Sequence, residues 1–405
     1  MSYVPSQKVL EKYAKVFVNF ALNSGKGIKK GDTVVVVGSE VSKPLYIEIL
    51  KAIWKSGGNV IERYSANNNE TFKFDRYFYE NASKEQLAFF PAKLIKGQVD
   101  DADHYLKIIA DTDLKSLEGI DSKKIMLKNK TSKLEMKWRE QKEISGKLTW
   151  TLGLYGTEAM AKEANLSIEE YWNQIIKACY LDKKDPIKEW KNLFKLIENY
   201  RSKLNKLKID QVHMKGPDVD LWIKIGEKRS WFGGSGRNIP SFEIFTSPDW
   251  RGTNGWIKFS EPLYRYGNLI EGIELTFKDG CVVKSKASKN EKVLKAMIAT
   301  ENANKVGEYS LTDKRFSRIT KFMAETLYDE NVGGPNGNSH IALGSAYKDC
   351  YEGDPSKVSE EEWIRLGYNT SSVHTDIVST TPRTVTAHLK KGKQVIIYKN
   401  GQFVI

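Results

Sequence analysis

Cysteine and histidine are scarce in this chain, and each scarcity narrows what the protein can be. Three cysteines, Cys179, Cys281 and Cys350, lie far apart in 405 residues, with no Cys-x-x-Cys pair. That excludes a disulfide framework and a thiolate zinc knuckle, and it fits a reducing compartment. No apolar stretch approaches the ~20 residues that span a bilayer. The opening Met-Ser-Tyr-Val-Pro-Ser-Gln-Lys has no charged segment followed by an apolar run, so no secretory signal is predicted. The expectation is a soluble, cytoplasmic protein without a membrane partner. A G-x-G-x-x-G turn is also missing: after the first predicted strand, Val37-Gly38-Ser39-Glu40-Val41-Ser42 offers one glycine. That weighs against a dinucleotide-binding oxidoreductase.

What is abundant is charge. Lys and Arg exceed Asp and Glu by 64 to 51, a net charge of +13, which raises a nucleic-acid reading because clustered cations release phosphate counterions. Here the basic residues alternate with acids. Even the densest stretch, Lys123 to Lys147, contains Glu135, Glu140 and Glu143, and no interleaved aromatic motif of a single-strand binding module accompanies it. A solvated basic surface and no nucleic-acid partner are expected.

The chain exceeds what one core normally covers, so two domains are expected. Apolar residues Val9, Leu10, Tyr13, Ala14, Phe17, Val18 and Ala21 follow helical spacing and predict a helix over 7–23. Gly31-Asp32 then opens the β-branched run Thr33 to Val37, Pro44 opens a helix that Gly57-Gly58 stops, and Asn59 to Tyr64 reads as the next strand. Further strands are predicted at Tyr105 to Ala110 and Leu148 to Leu154, with helices near 122–144, 167–179 and 186–206. This is an α/β domain with a parallel sheet, placed at residues 1–205. Beyond it, short alternating strands at Leu221 to Ile225, Trp256 to Phe259 and Ile273 to Phe277, the hairpin signal Asp279-Gly280 and helices at 290–302 and 312–327 predict a mixed α+β domain over 206–405.

Of five histidines, two fall among acids in that second half: His340 in His340-Ile341-Ala342-Leu343-Gly344, and His374 in His374-Thr375-Asp376. Residues two apart on a strand share a face, so His374 and Asp376 could hold one ion. Glu308 and Glu330 stand nearby in sequence, and Glu243 lies in Phe242-Glu243-Ile244-Phe245-Thr246-Ser247-Pro248, flanked by aromatics that can desolvate it. Mixed N/O donors suit zinc, cobalt or manganese. The leading reading is a metal-dependent hydrolase. Two close divalent ions would acidify a shared water and polarise a scissile carbonyl. Tyr347 lies seven residues after His340, about two helical turns, so on a helix both would face one cleft.

Taken in order, these motifs, together with Glu271-Gly272-Ile273-Glu274-Leu275-Thr276-Phe277 and Thr326-Leu327-Tyr328-Asp329-Glu330-Asn331, resemble the thermophilic-type metalloaminopeptidases, the aminopeptidase T and aminopeptidase S family. The likeness runs over about residues 230–405. It implies two divalent ions per chain, peptide substrates with a free N-terminus, removal of the N-terminal residue by a metal-bound hydroxide, and a homodimer enclosing the sites. It further implies that Glu243, Glu308, Glu330, His340, His374 and Asp376 hold the metals and that Tyr347 stands near the reacting carbonyl. Which of Glu308 and Glu330 bridges the ions, and which relays the proton, stays open.

Blander readings exist for each residue. His340 could be a core histidine, His374-Thr375-Asp376 a turn in which the acid orients the ring, Tyr347 a core aromatic, Glu308 a helix-end carboxylate and Glu330 a cap. The glycine-rich segment between Glu330 and His340 is long for the family and reads as a mobile flap or an entrance-shaping loop. Asp349 to Glu362 reads as an exposed excursion. An amidase or carboxypeptidase using similar metals is the nearest rival.

Overall fold

The computed structural model describes residues 3–69 and 71–405. In the first half, β-branched Thr33–Ser39 forms an interior strand of a parallel sheet, with Val34, Val35 and Val36 fully buried. Such runs are covered on both faces. Its neighbours are Asn59–Ser65 on one side and His104–Ile109 on the other, followed by Thr149–Leu154. The fifth strand, Asn238–Ile239, comes from far along the chain. The expected α/β unit with its parallel sheet is present, and the helix Lys43–Lys55 opens with Pro44 in its first turn, where proline removes no helical hydrogen bond.

The predicted helix over 7–23 is regular only over Gln7–Val16 and continues as a π-type turn over Phe17–Ala21. That widening lets Phe17 and Phe20 both reach the core. Phe17 lies so close to Gly153 that a Cβ there would stand 2.3 Å from its ring. The 122–144 segment breaks into Ser122–Lys130 and Lys133–Ile144.

The second half is mixed α+β, as expected. Eight antiparallel strands run in the order Cys281–Lys286, Glu274–Lys278, Asn254–Lys258, Val219–Lys224, Ile209–Gly216, Thr384–Leu389, Gln394–Lys399 and Gln402–Phe403. Asp279-Gly280 makes the predicted hairpin, with Asp279 at φ 49°. A separate sheet contains His374–Ser379, Asn338–Gly344, Val306–Thr312 and Glu243–Thr246, in that order. One apolar cluster runs from Leu10 to Phe403 and joins both halves, with Trp190 of the long helix Pro186–Lys206 stacked on Phe242 at 5.8 Å.

The helix predicted over 312–327 does not form. Thr312 ends a strand, and only Thr326–Asp329 is helical. Tertiary partners win over local propensity here: the Asp313 carboxylate accepts from the backbone N–H of Arg315 and of Phe403, and Ala324 sits at φ 53°. The excursion after Tyr347 is exposed from Glu352 to Glu362, but Asp349 turns inward and pairs with Arg237.

Filling the contact at Gly153 would overpack the core, which costs about 1–3 kcal/mol. Gly153→Ala should lower the free energy of urea unfolding by that amount; an unchanged midpoint would show that Phe17 can withdraw freely.

Candidate metal centre

The four-stranded sheet concentrates its chemistry on one face. Ser310 lies opposite both His340 and Phe245, Ala342 lies between Glu308 and Asp376, Gly344 is opposite His374, and Thr312 is opposite Glu243. Directly opposed residues share a face, as do alternate residues along one strand. Glu243, Glu308, His340, His374 and Asp376 therefore project from the same side, with the small residues Ser310, Ala342 and Gly344 among them and Phe245 beside Ser310. Gly307 marks a bulge just before Glu308, where a Cβ would meet the Ser345 carbonyl at 2.2 Å. Bulges of this kind re-aim a neighbouring side chain. Glu330 enters from the turn after Thr326–Asp329.

The donor atoms face one another closely. His340 Nε2 is 3.1 Å from Glu243 Oε2, 3.3 Å from Glu308 Oε1 and 3.8 Å from Asp376 Oδ1. His374 Nε2 is 3.4 Å from Glu308 Oε2 and 3.5 Å from Asp376 Oδ1. For zinc–ligand bonds of about 2.0–2.1 Å, tetrahedral ligands sit about 3.4 Å apart, so a cation could be accommodated among donors at these spacings. Three overlapping groups satisfy the proximity a cation needs: Glu243, Glu308 and His340; Glu308, His374 and Asp376; Glu330, His340 and Asp376. His374 Nδ1 donates to the Ser345 carbonyl at 2.8 Å, which leaves Nε2 to face the carboxylates. That is the usual way a ligating imidazole is oriented.

The supporting residues lie close by. Ser310 Oγ donates to Glu243 Oε2 at 2.8 Å. Asn238 and Asn331 donate their side-chain amides to Glu330 Oε1 at 3.2 and 3.3 Å. Asn338 Nδ2 donates to the carbonyls of Glu330 and Val332. The two ends of the glycine-rich segment, at Asn331 and Asn338, are thus buried and brace Glu330, while Pro335 at its tip is exposed. Sequence reading missed Ser310, Asn238 and Ser345; the i+2 spacing from Glu308 to Ser310 was the available signal.

Tyr347 does not share a helix with His340, because His340 sits on a strand and the chain turns after Gly344, at φ 106°. It still reaches the site. Its ring centroid is 4.7 Å from that of His374 and 5.8 Å from that of Phe245, and its backbone N–H donates to Ser247 Oγ at 2.8 Å. One short segment, Glu243 to Ser247, thereby serves both the donor cluster and the tyrosine. A partly enclosed cleft opens over these residues, walled by Trp150, Gly233, Gly234 and Arg237.

Burial pushes the Glu243 carboxyl up against the opposing pull of His340, and burial followed by the charges of Asp376 and Glu243 pushes Glu330 well up. Burial disfavours a charged His340, yet its bonds to Glu243 and Glu308 outweigh that and raise it well above the usual imidazole range. His374 is likewise raised to about 10, its desolvation outweighed by Asp376, while Asp376 is held below the carboxylate range by the His374 charge against its own burial. The protein groups alone hold protons where a cation would compensate the same carboxylates.

Comparison with known proteins gives the family. The chain belongs to the thermophilic metalloprotease (M29) family, whose profile matches residues 6–403. It is therefore a metallopeptidase, a hydrolase of peptide bonds that works with a divalent metal. Aminopeptidase PepS of Streptococcus thermophilus is 28% identical over 98% of both chains, and aminopeptidase AmpS of Bacillus subtilis is 29% identical over 98% of both. Aminopeptidase T of Thermus aquaticus is 32% identical over 59% of this chain and 60% of its own. The structure of wild-type AmpT from Thermus thermophilus superposes with a TM-score of 0.81 at 24% identity, over 98% of this chain and 100% of that one, which shows a shared fold.

Metal uptake must displace the protons on the imidazoles and carboxyls, so apparent affinity should fall as pH is lowered from about 8 to 6. Calorimetric titration with Zn²⁺ in two buffers of different ionisation enthalpy should show net proton release. Heats independent of buffer, with affinity constant across that range, would contradict the assignment of these groups as ligands.

Proposed function

We propose that the chain is an aminopeptidase with a dinuclear divalent-metal centre held by Glu243, Glu308, Glu330, His340, His374 and Asp376. One observation carries the reading: Glu308 turns one oxygen toward His340 at 3.3 Å and the other toward His374 at 3.4 Å. A carboxylate aimed at two imidazoles is disposed to bridge. Charge supports the same count. Four carboxylates share this pocket, and one divalent ion would leave two of them uncompensated away from water, at several kcal/mol each. Two divalent ions balance all four.

Bound divalent ions would supply Lewis acidity, acidifying a water and polarising the scissile carbonyl. The protein's own groups do the rest. Glu308 has both oxygens committed to imidazoles, whereas Glu330 has Oε1 fixed by two amides and a second oxygen free, which favours Glu330 as the proton relay to the leaving amine. Tyr347 offers its phenol O–H to the oxygen on which negative charge develops. A substrate's free α-amine would add one more nitrogen donor to cations held by these residues, which separates an aminopeptidase from an amidase or carboxypeptidase. Zinc, cobalt and manganese all match the donor set. A homodimer and a cytoplasmic setting complete the reading.

Chelation should abolish cleavage of free-amine peptides, and added Zn²⁺, Co²⁺ or Mn²⁺ should restore it, while N-acetylated versions of the same peptides stay intact. Undiminished turnover by metal-stripped protein, or equal cleavage of blocked peptides, would defeat the proposal. Tyr347→Phe should lower kcat by roughly 10²–10³ with metal content unchanged, as loss of an oxyanion donor does; loss of metal instead would make Tyr347 a ligand or a structural residue.

A further inference from the structure

The helix Lys133–Ile144 has no fully buried side chain, yet it packs beside the metal centre. Its Trp138 packs, half-buried, against the cluster around Val99 and Tyr105 in the N-terminal half. Its contacts to the site are ionic. Glu140 Oε2 lies 3.3 Å from Lys348 Nζ, and Glu143 Oε1 accepts from Arg237 Nη2 at 2.6 Å. Glu140 and Glu143 are three apart, so both face the same way.

Their partners flank Tyr347. Lys348 is buried, with its ammonium 5.3 Å from the Trp363 ring, and a buried ammonium is costly unless a carboxylate meets it. Arg237 carries the second link onward: its other nitrogen, Nη1, lies 2.5 Å from Asp349 Oδ2, and its guanidinium stands 5.8 Å from the Tyr347 ring centroid. The planar fork of arginine suits two carboxylates at once. The backbone of Arg237 is fixed in turn, because Leu152 N–H of the parallel sheet donates to its carbonyl at 2.8 Å. Three consecutive residues are therefore committed: Tyr347 over His374, Lys348 to Glu140, and Asp349 through Arg237 to Glu143.

We propose that Glu140 and Glu143 form a two-point latch that positions the Tyr347 turn over the metal centre, so that a charged helix of the N-terminal half completes a site whose metal-binding side chains all lie in the second half. Glu140, Glu143 and Arg237 are positioning residues that act through Tyr347. The kinetic part of this inference rests on the role of Tyr347 given above.

The test uses full-length Glu143→Gln and Glu140→Gln, with Glu135→Gln as control, since Glu135 sits on the same helix but pairs with Arg63 at 2.8 Å within the N-terminal half. In metal-free protein, amide hydrogen exchange over residues 345–351 should speed up in both latch variants and not in the control. In metal-loaded protein, each latch variant should lower kcat about ten-fold, with KM and bound metal unchanged, because small misplacements of reacting groups are costly. On a Tyr347→Phe background that loss should vanish, as expected when two residues act through one contact. Unchanged exchange in the turn overturns the latch, and so does a kcat loss of equal size on both backgrounds. If Tyr347→Phe alone keeps full kcat, the role of Tyr347 in the reaction fails instead, and the exchange result alone decides whether the latch exists.

Discussion

Four carboxylates crowded with two imidazoles, three of the acids from one face of a small sheet and Glu330 from a turn beside it, are the constraint from which the rest of the structure follows. Ionised and unpaired in a water-poor pocket, they would repel one another and lose their hydration. Something positive must stand among them. Protons on His340 and His374 do so in part, and the proposed divalent cations would do so fully. The small residues Ser310, Ala342 and Gly344, the bulge at Gly307 and the amides of Asn238, Asn331 and Asn338 all keep that arrangement open and oriented.

The architecture explains how so few residues achieve this. Four strands place donors at matched register positions, and strand pairing fixes their separation without any long loop. The sheet lies inside a core shared by both halves, with Trp190 of the helix Pro186–Lys206 stacked on Phe242 just before the strand Glu243–Thr246. The short strand Asn238–Ile239, which joins the parallel sheet, delivers Arg237 to the cleft wall and Asn238 to Glu330. Residues of the parallel sheet and of the four-stranded sheet thus line one cleft together.

Much of this was legible in the sequence, for physical reasons. The β-branched run Thr33 to Val37 and the Asp279-Gly280 turn announce themselves through local sterics, and the His374-Thr375-Asp376 spacing reports a shared strand face directly. The ordered motifs brought Glu243, Glu308, Glu330, His340 and Tyr347 to notice before any geometry was known. What stayed hidden is non-local. Whether His340 leads into a helix or a strand depends on its partners at Ser310 and Val378, so the helical argument for Tyr347 failed while its location near the site did not. Residues 313–325 carry helical composition but spend their hydrogen bonds on distant partners such as Phe403. The acids at Glu140 and Glu143 read as surface decoration because nothing local reveals that Lys348 and Arg237 meet them.

The central claim is that this pocket holds a pair of cations straddling Glu308. Anomalous diffraction from crystals of the chain grown with Zn²⁺, collected on both sides of the zinc edge, tests it most directly. The account predicts two peaks in each chain, one bounded by Glu243, Glu308 and His340 and the other by Glu308, His374 and Asp376. A single peak, or peaks remote from these side chains, would contradict it.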